Sequence, residues 1–198
     1  MDVVELRPGL WRWTAAHPEW EPGVHWPQVV GSVYAELADA LVVIDPLVPE
    51  DADRFWSALD RDVERLRRDV HVLLTAHWHE RSAAEVLARY GATLWRPEQG
   101  DADLPPGVRA QIVEGADWVE AVLYLEPFRA LVAGDLLVAD PNLRVPVEWF
   151  PTEEQDWARG ALKERLRPLL DDPIALVLVA HGDPVVHNAQ ESLATALA

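Results

Sequence analysis

His77 and His79 stand two residues apart in the stretch Ala76-His77-Trp78-His79-Glu80-Arg81-Ser82. Alternate residues of extended backbone point to the same side, so both imidazoles can reach one point. A His-x-His pair makes a metal clip, because neutral imidazole suits zinc, iron and other borderline cations. The plainer alternative is a pair of polar turn residues. Two more apolar runs end on compatible groups. Ala130-Leu131-Val132 leads to Ala133-Gly134-Asp135, whose carboxylate is either a turn residue or an acid aimed into a cleft. Leu176-Val177-Leu178-Val179 leads to Ala180-His181-Gly182-Asp183-Pro184, where Gly182 frees the backbone to turn and His181 projects from the strand end. Open α/β sheets place ligands beyond the carboxyl ends of their strands. Strand ends carrying His, His, Asp and His are harder to assign to chance together than singly.

The elements that must position these groups follow from periodicity. Leu10 to Thr14 alternates, with Trp11 and Trp13 on one strand face. Gln28 to Leu37 and Ala40 to Ile44 form a hairpin pair about Asp39. Phe55, Leu59, Val63 and Leu66 fall at helical spacing in a helix over 50–68. Val70 to Thr75 is a short buried strand leading into the His pair. Ser82-Ala-Ala-Glu85 is a capping box that opens a helix running to Tyr90 and ended by Gly91. Further strands are expected at 93–96, 110–113, 119–125, 129–133 and 174–180. A second capping box, Thr152-Glu-Glu-Gln155, opens a helix to about Leu166, and a last helix covers 188–197. Glu98 to Gly107 reads as a surface loop. Two β-rich halves with helices outside predict a layered sandwich in a single domain spanning 1–198.

Composition narrows the function. The chain has 198 residues, 34 Asp+Glu against 17 Lys+Arg, and a net charge of -17. Such acidity argues against nucleic-acid partners, which need a cationic stripe to displace counterions. About half the residues are apolar, enough for a sizeable core. Cysteine is absent, which excludes disulfides, thiolate ligands and a Cys nucleophile, and fits a reducing, cytoplasmic location. No apolar run approaches the roughly 20 residues that span a bilayer, and the start of the chain lacks signal-peptide character. Ten Trp residues are expected to fill core or line a cleft. The exposed-edge and Trp content is compatible with a homodimer. A Ser-His-Asp triad finds no support, because no G-x-S-x-G elbow is present.

In order and spacing these segments resemble the metallo-β-lactamase-fold hydrolases over most of the chain. Ile44-Asp45-Pro46 looks like the family's early strand-end Asp, and Leu73 to Ser82 matches the register of its H-x-H-x-D-H motif. Ala133-Gly134-Asp135-Leu136-Leu137 is similar to its G-D-x-L segment, and Ala180-His181-Gly182 to its G-H-G segment. The resemblance implies an α/β (α+β) fold, a four-layer αββα sandwich with a metal site at one edge. It also implies hydrolysis of small-molecule amides, esters, thioesters or phosphoesters. The chain departs from the pattern at three ligand positions. Arg81 stands at the family's Asp and Ser82 at its final His, while Ala116 in Glu114-Gly115-Ala116-Asp117-Trp118 takes the place of another His.

A guanidinium is permanently cationic and binds no metal, so Arg81 predicts that no dinuclear site exists. Two readings of Arg81 stay open: it pairs with Asp135 as a fixed cation, or it turns outward to solvent. Ser82 is expected to be an N-cap. Asp45 is expected to hydrogen-bond backbone near the site rather than bind metal. The remaining candidates, His77, His79, Asp135 and His181, suffice for one Zn or Fe ion; the other reading is an empty, metal-free pocket. Asp117 is a further, weaker ligand candidate. His181 and Asp135 are expected to orient or deprotonate water activated by the ion, and Arg81 to stabilise an oxyanion. Trp78 and Arg81 are expected to contact substrate. His17 and His25 lie in a loop able to border the cleft, while His71 and His187 are expected to be structural or exposed. The leading function is a hydrolase acting on an ester, thioester or amide. The alternatives are a non-catalytic binding protein that keeps the scaffold, and a mononuclear iron protein.

Overall fold

The computed structural model describes residues 2–198. Its larger sheet has six strands in sequence order: β1 (Asp2–Arg7), β2 (Leu10–Ala16), β3 (Val29–Glu36), β4 (Ala40–Ile44), β5 (Asp69–Leu73) and β6 (Thr93–Trp95). The first four are antiparallel, and β4, β5 and β6 run parallel. Helices α1 (Ala52–Leu66) and α2 (Ala83–Tyr90) provide the crossovers between the parallel strands. The second sheet contains β7 (Val108–Glu114), β8 (Val119–Leu125), β9 (Ala130–Ala133) and β12 (Leu176–Val179), ordered β12-β9-β8-β7, with β12 parallel to β9. A two-stranded ribbon, β10 (Val138–Ala139) and β11 (Leu143–Arg144), separates β9 from the helical stretch that follows.

Alternation along each strand explains the layers, since successive side chains face opposite sides. In β4, Val42 and Ile44 face the second sheet, while Leu41 and Val43 pack under α1 with Phe55 and Leu59. In β8, Ala121, Leu123 and Leu125 face the first sheet, while Val122 and Tyr124 face the outer helices. The β12 strand repeats the division: Leu176 and Leu178 lie inward, Val177 and Val179 outward. The outer layer on this side includes Ala158, Leu162 and Leu166 and, from the last helix, Leu193 and Ala196. Helix, sheet, sheet, helix is the expected αββα sandwich.

Two local expectations change. Residues 152–171 do not form one capped helix. They run as a 3-10 turn (Thr152–Glu154), α3 (Gln155–Trp157), a π-helical turn (Ala158–Leu162), α4 (Lys163–Leu166) and a second 3-10 turn (Arg167–Asp171). Gln155 gives its side-chain amide to the Phe150 carbonyl rather than to a capping box. Ser82 does precede α2, but its hydroxyl caps nothing; it accepts the Val48 N–H at 3.0 Å and so fastens the loop after β4. The last helix, α5, covers Ala189–Ala196. No helix among the described residues is long and apolar enough to cross a membrane.

Candidate metal centre

Parallel β4, β5, β9 and β12 end on the same rim, and the groups that follow them converge there. Asp45 comes from the end of β4 and Thr75 and His79 from beyond β5. Asp135 follows β9, and His181 follows β12. Hydrogen bonds between the sheets hold the rim together: Ala121 N–H donates to the Thr75 carbonyl at 2.8 Å, and Gly31 N–H to the Ala180 carbonyl at 2.7 Å. The Arg12 guanidinium donates to the carbonyls of Val179 and Gly182 at 3.2 and 2.7 Å, fixing the backbone on both sides of His181. Gly134 is required by space, since a Cβ there would lie 2.4 Å from Thr75 Oγ1 and 2.6 Å from Glu120 Oε1.

The structure brings together His79, Asp135 and His181. One ligand atom from each lies within 4.8 Å of the others. Asp135 Oδ1 is 3.4 Å from His79 Nε2 and 3.2 Å from His181 Nε2. It is out of contact with solvent and accepts no well-directed hydrogen bond. Its partner oxygen, Oδ2, accepts the Trp78 indole N–H at 2.9 Å.

His77 does not join this group. Residues His77–His79 form a 3-10 turn rather than extended backbone. Such a turn has three residues per revolution, so residues two apart point in different directions. His77 is exposed and lines a neighbouring cleft with Glu98, Glu114 and Asp117, while His79 is buried. The same placement keeps Asp117 away from the cluster.

Proton accounting fixes Nδ1 of His79 as a donor. Asp45 Oδ1 accepts the Thr75 N–H at 2.8 Å, and Oδ2 accepts the Thr75 hydroxyl at 2.6 Å. That hydroxyl has spent its only proton, so at 2.8 Å from His79 Nδ1 its oxygen must accept. Asp45 Oδ2, 3.1 Å from the same nitrogen, is also an acceptor. His79 Nδ1 therefore carries hydrogen, and in the neutral ring Nε2 presents a lone pair toward Asp135. Asp45 thus acts as the expected backbone acceptor and also orients the imidazole. Burial works against a charged His79, but Asp45 and Asp135 outweigh it and push the imidazole up to about 9. Burial also opposes ionisation of Asp135, yet His79 and His181 hold it well below the usual carboxylate range. His181 goes the other way: burial lowers it despite Asp135.

Neither reading of Arg81 describes where it lies. Its φ is 39°, and the side chain turns inward behind His79, donating to the carbonyls of Gly31 and Asp45 at 3.0 and 3.1 Å. It neither pairs with Asp135 nor lines the cleft beside it. Trp78 does line that cleft, together with His25, Trp118, Trp149 and Phe150. His17 packs edge-on against Trp26 at 5.1 Å, and Trp26 and Trp149 flank His181 at 5.9 and 5.0 Å. His71 contacts the Thr93 hydroxyl, and His187 is exposed.

Glu120 is a site residue that sequence reasoning missed. It is buried at the start of β8, and its Oε1 accepts the N–H groups of Asp135 (2.5 Å) and Leu136 (3.0 Å). Burial, reinforced by the Asp135 charge, pushes its carboxyl up to about 8. The available signal was a lone acid in the otherwise apolar run Val119 to Leu125.

The three-residue set suits one ion. Bonds of about 2.0–2.1 Å at tetrahedral angles put neighbouring donor atoms about 3.3–3.4 Å apart, matching the two contacts at Asp135 Oδ1. His79 also has the hydrogen-bonded second partner usual for a ligating imidazole, Asp45, whereas the buried Nδ1 of His181 has none.

No family model matches the chain, and no curated protein matches it. Solved structures do. The structure of VMB-1 at pH 5.5 aligns with a TM-score of 0.64 and 11% identity, covering 99% of this chain and 95% of that one. The structure of DIM-1 metallo-β-lactamase exposed to ceftazidime gives a TM-score of 0.62 and 10% identity over 99% and 95% of the two chains. The TMB-1 structure gives 0.59 and 10% over 99% and 96%. With the two sheets, their flanking helices and the rim already described, this likeness shows that the chain has the metallo-β-lactamase fold.

Proposed function

We propose that the chain is a hydrolase of small-molecule esters, thioesters or amides that works with one divalent ion held by His79, Asp135 and His181. The observation that carries this reading is the buried Asp135 Oδ1, without a well-directed hydrogen bond and flanked by two imidazole nitrogens at ligand spacing. An ion there supplies Lewis acidity and a nucleophile at neutral pH. Two imidazoles and one carboxylate suit zinc or iron, and zinc requires no redox partner.

The protein's own groups divide the remaining work. Asp45 and Thr75 hold His79 in the tautomer whose Nε2 faces the site. Glu120 receives two backbone N–H groups and so sets the turn that carries Asp135. It also borders the cleft, where its raised carboxyl can hold or release a proton near neutral pH. Arg81 fills the space behind Asp45 with a fixed positive charge, which disfavours a second cation. The absence of cysteine accords with work in the reducing cytoplasm.

The direct test is hydrolysis of a panel of aryl esters, thioesters and anilides. The protein would be assayed metal-free and after titration with zinc or ferrous iron. The reading predicts activity that saturates at one equivalent and is lost in His181→Ala. Uptake of the ion with no turnover on any class would instead favour a binding protein on this scaffold.

A further inference from the structure

We propose that an apolar cavity between the first sheet and α1 is a binding site for a small, uncharged aromatic molecule of two fused rings. The cavity shares no residue with the metal rim, and its binding does not rest on the hydrolase reading.

Strand pairing builds the sheet side. Trp11 stands opposite Tyr34, and Tyr34 opposite Val43, so these side chains share the outer face of β2, β3 and β4. Alternation puts Trp13 on the same face. Val3, opposite Trp13, extends that face onto β1. In α1, Phe55, Ala58, Leu59 and Asp62 fall at i, i+3, i+4 and i+7, one face of a helix. Ala58 puts only a methyl group into the middle of that face. Between helix and sheet lies a cavity of about 220 Å³, bordered by Trp11, Trp13, Tyr34, Phe55, Ala58 and Leu59. An apolar cavity of about 150 Å³ holds benzene, so this one has room for a second ring. It has no room for a helix of a partner protein, about 10–12 Å across.

The polar groups around the cavity are already engaged. The Trp13 indole N–H donates to the Leu47 carbonyl at 2.8 Å, and the Tyr34 hydroxyl to Glu36 at 3.5 Å. At the mouth, Asp62 pairs with Arg65 at 3.2 Å and lies 3.8 Å from Arg61, while Arg65 also binds Glu36. Two acids face two bases, so the mouth has no surplus charge for an ionic ligand to match. Among the described residues, no buried side-chain nitrogen or oxygen of the cavity lacks a partner. A charged ligand would lose its water there without gaining a counter-ion, which costs far more than burying an uncharged ring. The walls favour an aromatic occupant. Trp11 and Tyr34 meet at 5.3 Å and 52°, and Trp13 and Phe55 at 5.4 Å and 48°. Tilted ring contacts of this kind stabilise beyond the area they bury, and a flat ligand between the two pairs would extend them.

The test uses four probes on the metal-free protein: 2-naphthol, its saturated counterpart decahydro-2-naphthol, the anion 2-naphthoate and the cation 2-naphthylmethylammonium. Calorimetric titration measures affinity, and the indole N–H resonances of Trp11 and Trp13 report location. 2-Naphthol is expected to bind about tenfold more tightly than either ion and to shift both resonances. The saturated alcohol should bind more weakly, for want of ring contacts. Ala58→Leu fills the cavity and should abolish naphthol binding without lowering the melting temperature. Equal affinity for an ion or for the saturated alcohol, or binding that leaves both resonances in place, would overturn the proposal even if that variant fails to fold. Undiminished binding in a folded Ala58→Leu protein would do the same. So would no binding at all, and light scattering would then tell a cavity covered by a second copy of the chain from an empty one.

Discussion

At the scale of single residues, the decisive feature is how a proton is distributed over Asp45, Thr75 and His79. With the hydroxyl proton committed to Asp45, His79 must donate from Nδ1, which leaves Nε2 as the ring atom that faces Asp135. Asp45→Asn removes the anionic acceptor while keeping its size. The variant should weaken metal binding about 10–100-fold, the usual cost of losing a ligand's hydrogen-bonded partner, as measured by competition with a chromogenic chelator. His77→Ala should leave that affinity unchanged, because the 3-10 turn points His77 into another cleft.

The same residues set a pH dependence in the metal-free protein. His79 is raised above its ordinary 6.5 to about 9, and Glu120 above 4.5 to about 8. In both cases the folded chain binds protons more tightly than the unfolded chain. Their contributions are therefore largest at low pH and fade as pH rises through the folded values. Asp45 and Asp135 are shifted downward, so both are ionised in either state across this range and contribute no slope. Urea midpoints should fall steadily from about pH 7 to about pH 9.5. A flat or rising profile would contradict the protonated, carboxylate-flanked His79.

At the scale of elements, the site depends on two sheets being stitched together along one rim. Arg12 reaches from β2 across to the end of β12 and binds the carbonyls on either side of His181. Arg12→Leu would leave these carbonyls without that donor, at a cost of about 1–3 kcal/mol. Chemical denaturation measures the loss, and Arg12→Lys should recover part of it. The strands were legible because β4, β8 and β12 are short, almost wholly apolar runs, and the helical spacing of Phe55, Leu59, Val63 and Leu66 identified α1; the order and facing of the strands were not, because both faces of these strands are buried. The His-x-His geometry was not legible in the same way. Whether Ala76 to Glu80 extends or tightens into a turn depends on tertiary contacts, among them the Ala76 bridge to Glu120. The motif at Ser82 did locate α2, although its hydroxyl serves the loop after β4 instead of the helix, whereas the motif at Thr152 misled, because Gln155 found a partner in the neighbouring loop.

At the scale of the whole molecule, the αββα arrangement was readable from the order of apolar runs and the chemistry at their ends. Asp135 and His181 meet where strand-end logic put them, with His79 beside them. Glu120 and the true orientation of Arg81 stayed hidden, since each is set by contacts between segments far apart in sequence. The proposed centre would have His79, Asp135 and His181 as its three protein ligands, with the Arg81 guanidinium held on the Gly31 and Asp45 carbonyls. Metal content of protein purified without chelator, then exposed to excess zinc and desalted, tests this most directly. The prediction is one equivalent per chain, lost in His79→Ala and Asp135→Ala and retained in His77→Ala. No uptake, two equivalents, or loss in His77→Ala would contradict it.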